Sequence, residues 1–331
     1  MNYGRGEAKP AAREQVRGVW AAMTTPFDEA GDLDLTALRH DTAYLVEDLR
    51  VDGLFCAGVM AEFWALSVAE RRLVVETVVD EVAGRCGVIA HTGHHSAREA
   101  IGLTEHAQEV GADFAVLINP YYPNSTDAGL FDWFSEVAGA VDLGLWLFDT
   151  SYSGFGLSLD LIDALADLDN VCGIKVGHDH ERFLEILHRV GDRILASEPN
   201  ESRWLENLLD HDVQVFMSSA APYLYQTAEA QPMREYTRAA LAGDRELAEK
   251  ISAGLEPLRA ISERYVTGPW RRDKLQPIAA IKRWSSLAGL TGGPVRAPLR
   301  ELPDYQEAEL VAELAAAGLV GTEAAVGTAA G

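Results

Sequence analysis

The chain has 331 residues, of which 48% are hydrophobic and 24% charged, a composition that suits one large α/β domain or two smaller ones. Its net charge of −23 disfavours nucleic acid and anionic membranes as partners. No apolar run reaches the roughly 18 residues that a membrane span needs, and residues 1–15 lack the apolar core of a signal peptide, so we expect a cytoplasmic protein.

Strand-like and helix-like segments alternate along the chain after a short amino-terminal stretch. Residues 1–16 contain few large apolar side chains, so we expect a disordered tail there. Eight strand-like runs follow, at residues 18–25, 53–59, 87–92, 114–119, 143–149, 171–175, 193–198 and 213–219. The segments between them are amphipathic, and several begin at a Ser or Asp suited to capping a helix.

This alternation predicts the fold. Eight β/α units in roughly 230 residues indicate an α/β protein with a TIM (β/α)8 barrel, here over residues 17–224. A doubly wound sheet would need a phosphate loop, and no G-x-G-x-x-G follows any of the strand-like runs. Residues 225–303 are predicted to form a C-terminal helical segment, and residues 304–331 a last helix with a disordered tail.

Lys175 ends the sixth strand-like run, VCGIK, which is otherwise apolar. A TIM barrel carries its reactive groups at the carboxyl ends of its strands, so this position needs an explanation. One interpretation is a lysine that extends its ammonium to solvent from a strand end. The other is a desolvated amine, whose lowered pKa makes it a nucleophile toward carbonyl carbon.

Several motifs together resemble one family of enzymes. GVWAAMTTPF occurs at the first strand, AGVMAEFWALSVAER after the second, HTGHHSAREA and NPYYP after the third and fourth, NVCGIK at the sixth, and GGPVRAPLRELP near the end. In this order they resemble the dihydrodipicolinate synthase and N-acetylneuraminate lyase family of Schiff-base aldolases, over residues 17–303. GVWAAMTTP and VFMSSAAP look most like its hydratase-aldolase branch.

The resemblance implies a function for Lys175. It matches the lysine that forms an imine with the 2-oxo group of the substrate, an electron sink that allows the neighbouring carbon–carbon bond to break. It also implies a small-molecule carbonyl substrate, no cofactor, no metal, and a homodimer or homotetramer.

The fifth strand departs from the family pattern. The family usually has a proton-relaying tyrosine where this chain has Phe148, and a phenyl ring cannot relay a proton. Tyr152 lies four residues further on and is the predicted replacement. Asp149 is another proton carrier on this strand and a candidate substrate contact, although an Asp at a strand end is often a turn residue.

The turn after the second strand departs as well. The family's Gly-Thr-Thr-Gly-Glu is Gly58-Val59-Met60-Ala61-Glu62 here, so two hydroxyls that hold a substrate carboxylate are missing. The presence of Val59 and Met60 predicts one of two things. Either the substrate carboxylate binds elsewhere, or the substrate has an apolar group at this place. Simple packing of both side chains is compatible with either.

Other candidates come from the remaining strand ends. Tyr121 and Tyr122, in NPYYP, match a family position from which one tyrosine reaches the neighbouring subunit's site, and Tyr122 is taken as a catalytic candidate. The seventh and eighth strands end in residues placed where the family recognises the distal part of the substrate: Ser197, Glu198, Ser218 and Ser219.

Three alternative functions stay open at this point. A metal-dependent aldolase is conceivable from the residues His91, His94, His95, His178, His180 and Glu198, but a divalent metal would make Lys175 redundant. A dehydratase could use the same lysine imine. A non-catalytic binding or regulatory descendant would explain the missing tyrosine and threonines. The favoured prediction is a Schiff-base lyase that acts on a 2-oxo acid or related carbonyl compound larger than pyruvate.

Overall fold

A computed structural model of the protein describes residues 2–319. Eight parallel strands lie in the order β7-β6-β5-β4-β3-β2-β1-β8 and form a nearly closed barrel. The strands are β1 Gly18–Ala22, β2 Gly53–Cys56, β3 Gly87–His91, β4 Phe114–Ile118, β5 Gly144–Thr150, β6 Val171–Gly177, β7 Leu195–Ser197 and β8 Val215–Ser219. The predicted TIM barrel is confirmed.

Helices alternate with the strands and then continue alone. The first eight are α1 Ala8–Gln15, α2 Leu35–Ala43, α3 Val68–Val82, α4 Ala97–Val110, α5 Asp127–Ala140, α6 Leu159–Ala166, α7 His180–Val190 and α8 Glu201–Asp210. After the last strand come α9 Ala221–Leu224, α10 Pro232–Leu241, α11 Arg245–Ala253, α12 Glu256–Ser262, α13 Gly268–Asp273, α14 Ile278–Leu287 and α15 Asp304–Ala316. No helix within residues 2–319 is both long enough and apolar enough to cross a membrane.

The polar residues that precede the helices act as caps. The Ser67 hydroxyl accepts a hydrogen bond from the Glu70 amide, and the Glu70 carboxylate accepts one from the Ser67 amide. The Ser158 hydroxyl accepts the Leu161 amide at 3.0 Å at the start of α6. Such caps satisfy amides that have no partner within the helix, so these side chains fix where the helices begin.

Two tryptophans fill the amino-terminal half of the barrel interior. A Cβ atom on Gly53 would lie 2.3 Å from the Trp20 ring, and one on Gly87 would lie 2.5 Å from it. Gly173 leaves the same space for Trp146, at 2.3 Å. Large side chains that face glycines on neighbouring strands therefore form a closely packed layer across the barrel. The residues nearer the carboxyl ends of the strands pack on this layer.

The amino-terminal segment corrects a prediction. Residues 1–16 were expected to be disordered, but helix α1 lies against the first residues of the strands, with Ala8 and Ala12 fully buried. The Lys9 amine donates to the Ala166 carbonyl at 2.7 Å, and Arg13 donates to the Asp192 carbonyl at 2.8 Å. Small alanines pack closely here, so the segment does not need the large apolar residues on which the prediction depended.

The C-terminal helices return to the end of the barrel at which the strands have their carboxyl ends. Helix α13 brings Trp270 against Tyr152, and α14 brings Lys282 to Glu62 in the turn after β2. Helix α15 occupies part of residues 304–331, and the tail predicted at the end of that range, residues 320–331, lies outside the described residues.

Candidate active site

Lys175 lies inside the barrel in an apolar environment. Its side chain is 4% exposed, and its Nζ atom is 4.7 Å from the centre of the Phe55 ring and 4.8 Å from that of Phe148. Nζ donates a hydrogen bond to the Ser218 carbonyl at 2.8 Å. Burial lowers the pKa of the Lys175 amine from 10.5 to about 7, so a large fraction is neutral and nucleophilic near neutral pH.

The other deeply buried lysine of the described chain differs in one respect. Lys282 lies 2.7 Å from a carboxylate oxygen of Glu62, so its charge is paired. Lys175 has no carboxylate within 4.0 Å among the described residues. Removing the partner of a buried ammonium leaves an uncompensated charge, whereas a buried amine without a partner favours its neutral form. Of these two lysines, Lys175 therefore has the surroundings that suit a nucleophile.

Neighbouring residues of β5 face opposite sides of the barrel wall. Phe148 pairs in register with Lys175 and faces the interior. Asp149 faces the helices, where it accepts the Leu157 amide at 2.8 Å and lies 3.2 Å from His178 Nε2. Asp149 therefore holds the loop after β5, and the prediction that it contacts substrate is not supported by its orientation.

Tyr152 lies in the short helical turn that follows β5. Its ring packs on the interior cluster, 6.5 Å from the Phe148 ring and 4.0 Å from that of Trp270. Burial raises the pKa of the Tyr152 hydroxyl to about 12, so the hydroxyl keeps its proton at neutral pH. The Tyr152 ring therefore lies near that of Phe148, and its role as the replacement for the family tyrosine stays a prediction.

The turn after β2 offers backbone donors instead of hydroxyls. Val59 is buried in the interior cluster, and Met60 packs against it. The amides of Val59 and Met60 have no hydrogen-bond acceptor among the described residues. Glu62 fixes the turn by accepting the Arg296 amide at 2.9 Å in addition to its pair with Lys282. The turn is therefore rigid and presents two free N–H groups with apolar side chains.

The three serines at the ends of β7 and β8 differ in whether the hydroxyl has a hydrogen-bond partner. The Ser197 hydroxyl faces the interior but donates to the Val215 carbonyl at 2.8 Å, which bridges the gap between β7 and β8. The Ser218 hydroxyl is buried without a partner among the described residues. The Ser219 hydroxyl accepts the Ala221 amide at 3.2 Å. Of these three hydroxyls, only that of Ser218 lacks a partner among the described residues, while the Ser218 carbonyl contacts Lys175.

Glu198 is directed away from Lys175. Its carboxylate accepts hydrogen bonds from His180 Nδ1 and from Asn207 Nδ2, both at 2.7 Å. These partners belong to α7 and α8, so the carboxylate lies outside the barrel wall. The prediction that Glu198 contacts substrate is therefore not supported by its position.

Among the described residues, neither Tyr121 nor Tyr122 forms a hydrogen bond with Lys175. Tyr121 lines a cavity of about 170 Å³ between the loops after β2, β3 and β4, and its ring is 4.2 Å from that of His95. Tyr122 is 78% exposed. Neither hydroxyl is placed at Lys175 by its own chain.

His91 was weighed in the sequence only as a metal ligand, but it lies at the interior end of β3. Its ring is 6.4 Å from that of Phe55, the ring that also contacts Lys175. Arg71 donates to the Nδ1 atom of His91 at 3.2 Å, which leaves the ring proton on Nε2. Burial and the Arg71 charge lower the pKa of His91 well below its usual value, so the ring is neutral.

The histidines of the rival metal site do not converge. His91 contacts Arg71, His95 meets the Tyr121 ring edge-on, and His178 contacts Asp149, and none of the three belongs to the group of described residues that could hold a metal ion. The sequence places these histidines within a few residues of each other at strand ends. It does not show which side of the barrel wall each ring faces, so it could not exclude a shared metal site.

Comparisons with known proteins agree with this geometry. Residues 15–317 match the Dihydrodipicolinate synthetase family. An uncharacterized DapA-like lyase of Halobacterium salinarum is 33% identical over 308 residues, which cover 92% of this chain and 95% of that protein. The crystal structure of dihydrodipicolinate synthase from Aquifex aeolicus has a TM-score of 0.80 at 29% identity and covers 92% of this chain and 98% of its own. A prophage protein of E. coli from the dihydrodipicolinic acid synthase family, in complex with pyruvate, has a TM-score of 0.80 at 27% identity over 92% of this chain and 99% of its own.

Proposed function

The chain belongs to the dihydrodipicolinate synthetase family, and on that premise we propose that it is a Schiff-base lyase for a 2-oxo acid or related carbonyl compound larger than pyruvate. The observation that carries the proposal is the buried, unpaired amine of Lys175 between two phenyl rings. Burial with no nearby carboxylate favours the neutral amine, which is the form that attacks a carbonyl.

The reaction would proceed through an imine on Lys175. The amine adds to C2 of the substrate, and the resulting carbinolamine loses water to form a protonated imine. Cleavage requires a hydroxyl on C4, which a 4-hydroxy-2-oxo acid already carries and an arylidene 2-oxo acid gains when water adds across its C3–C4 double bond. The C4 hydroxyl then loses its proton, the C3–C4 bond breaks with its electron pair passing into an enamine, and C4 leaves as an aldehyde. Protonation of C3 and hydrolysis then return the free lysine and a shorter 2-oxo acid.

Two side chains could move the protons that this sequence requires. Tyr152 keeps its proton at neutral pH and lies beside Phe148, where the family usually has its tyrosine. His91 carries its ring proton on Nε2, since Arg71 donates to Nδ1, and its ring lies 6.4 Å from that of Phe55. We assign the relay to Tyr152 and a hydrogen bond to a substrate oxygen to His91.

The substrate carboxylate would bind at the turn after β2. The free amides of Val59 and Met60 can donate to it. Each hydrogen bond to a charged group contributes about 1.5–3 kcal/mol, so the loss of two family hydroxyls weakens the binding of pyruvate itself.

Apolar surface around the nucleophile supports a larger substrate. Phe55, Val59 and Phe148 are buried in the interior cluster, and Met60 and Tyr152 pack against it. An aromatic group that buries about 100 Å² gains about 2.5 kcal/mol at 25 cal/mol per Å², which is comparable to one hydrogen bond to a carboxylate. This balance favours arylidene or long-chain 2-oxo acids.

The experiment that tests the function is product analysis. The purified protein is incubated with arylidene 2-oxo acids and with 4-hydroxy-2-oxo acids that carry a methyl, an aryl or a long alkyl group on C4, and aldehyde release is measured by chromatography. We expect cleavage of one of the larger substrates by the wild type and by Lys250→Ala, an exposed control, and none by Lys175→Ala. Imine formation without product from any substrate would instead support a non-catalytic descendant, and loss of water without cleavage would support a dehydratase.

We also propose a homo-oligomer, a dimer or tetramer. The support is the resemblance of NPYYP to the family segment that crosses a subunit interface, together with the exposure of Tyr122. Light scattering that gave a monomer of 36.0 kDa at micromolar concentration would refute it.

A further inference from the structure

Three side chains on the outside of the barrel form a cluster that the proposed reaction does not use. We propose that His180, Glu206 and His211 bind a zinc ion between α7 and α8. His180 begins α7, Glu206 lies within α8, and His211 follows α8 directly. One ligand atom from each lies within 4.8 Å of the other two, and all three residues are partly buried.

The distances within this cluster suit a tetrahedral ion. Nε2 of His180 lies 3.6 Å from Oε1 of Glu206, and Nε2 of His211 lies 4.0 Å from the same oxygen. Zinc bonds to nitrogen and carboxylate oxygen of about 2.0–2.1 Å place two tetrahedral ligands about 3.3 Å apart. The two distances to Glu206 exceed this value by less than an ångström, and the distance between the two histidine ligand atoms, at most 4.8 Å, exceeds it by at most about 1.5 Å, so small side-chain rotations would close the site.

Glu198 fixes His180 in the form that binds metal. An ionised carboxylate only accepts hydrogen bonds, so the contact of 2.7 Å places the proton of His180 on Nδ1. Asn207 donates to the same oxygen at 2.7 Å and holds the carboxylate in place. The Nε2 lone pair is then directed at Glu206, and the Nε2 atom is buried without a hydrogen-bond partner among the described residues. Carboxylates orient metal-binding histidines in this way.

The donor set selects the class of metal. Two imidazole nitrogens and one carboxylate suit zinc and similar transition metals, whereas calcium and magnesium prefer oxygen ligands alone. Arg203 lies 2.7 Å from the other oxygen of Glu206, so the carboxylate stays ionised and offers a single oxygen. Hydrogen bonding with Arg203 also lowers the pKa of Glu206. Water would complete the coordination.

The test is a zinc titration of tag-free protein that has been stripped with EDTA and then freed of chelator. Competition with a chromophoric zinc chelator is expected to show one zinc per chain. His211→Ala should weaken binding at least 30-fold, and Glu198→Gln about 10-fold, the range known for residues that orient a ligand. His188→Ala removes an exposed histidine of the same helix and should leave binding unchanged.

Two further measurements, cobalt absorption and circular dichroism, distinguish loss of the metal site from loss of the fold. Cobalt in place of zinc should give the intense visible absorption of a four-coordinate site in wild type and not in His211→Ala, and circular dichroism confirms that each variant is folded. The proposal is overturned if the protein binds no zinc at free zinc concentrations up to about 100 µM, which corresponds to a binding free energy of about 5 kcal/mol. It is also overturned if His180→Ala and His211→Ala bind zinc as tightly as the wild type. It does not depend on the reaction at Lys175, so either can fail alone.

Discussion

Lys175 and Phe148 lie side by side on β6 and β5, with the Lys175 amine 4.8 Å from the centre of the Phe148 ring. The ring removes water from around the amine and supplies no hydroxyl. The pKa of Lys175 is therefore set by burial, while protons must come from a neighbouring side chain. The proposed nucleophile, Lys175, and the proposed proton carrier, Tyr152, therefore belong to different elements and can be changed independently.

The first prediction concerns pH. Because burial lowers the pKa of Lys175 to about 7, the neutral fraction of its amine rises from about one tenth at pH 6 to about nine tenths at pH 8. The initial rate of cyanoborohydride trapping with a 2-oxo acid should rise about tenfold over this range and then level off. An amine with an ordinary pKa would give a rise of about 100-fold with no plateau, and that result would contradict the assignment.

The second prediction concerns the turn after β2. The double variant Val59→Thr/Met60→Thr should hold pyruvate more than 100-fold more tightly, because two hydrogen bonds to a carboxylate at about 1.5–3 kcal/mol each add about 3 kcal/mol or more. The half-saturating pyruvate concentration in borohydride trapping measures this. Val59→Ala/Met60→Ala is the matched control, and an equal gain there would show that space, rather than hydroxyls, limits pyruvate.

The third prediction concerns proton transfer. Tyr152→Phe should slow hydrogen–deuterium exchange at C3 of a bound 2-oxo acid about 100-fold, because a positioned acid or base contributes at least that factor. Imine trapping should persist in the same variant. Tyr305→Phe changes an exposed tyrosine and should have no effect. Unchanged exchange in Tyr152→Phe would move the role to another group, with His91 the next to test.

The sequence predicted which strands carry the candidate residues better than it predicted the direction in which their side chains face. All eight strands occur where apolar runs were found; the fifth, predicted at 143–149, is Gly144–Thr150. The alternation of side chains in a strand already implied that Asp149 would face away from Phe148, and Glu198 away from Ser197. The resemblance to a family does not carry that information for residues that depart from its motifs.

Long-range contacts explain most of what the sequence left out. Arg71 determines the tautomer of His91 from helix α3, and Lys282 reaches Glu62 across 220 residues. Pairings of this kind have no local signature. Helix α1 was missed for a different reason, since its buried face is made of alanines, whose small size suits close packing but resembles the composition of a tail.

The fourth prediction concerns the buried pair in the turn after β2. Glu62→Gln would leave the Lys282 ammonium buried without its charge partner, which costs about 3–5 kcal/mol of unfolding free energy. Urea denaturation measures the loss. The double variant Glu62→Gln/Lys282→Met should recover a large part of it, because the unpaired charge is then gone. Equal stability of Glu62→Gln and wild type would show that the pair does not hold the turn.

The central claim is that Lys175 carries the covalent chemistry, and borohydride reduction followed by peptide mass spectrometry tests it most directly. Wild-type protein reduced in the presence of an aryl-substituted 2-oxo acid should carry one adduct per chain, on the peptide that contains Lys175, with weaker labelling by pyruvate. Lys175→Ala should carry none while keeping its fold by circular dichroism. An adduct on Lys274 or Lys282, or one that persists in Lys175→Ala, would contradict the account.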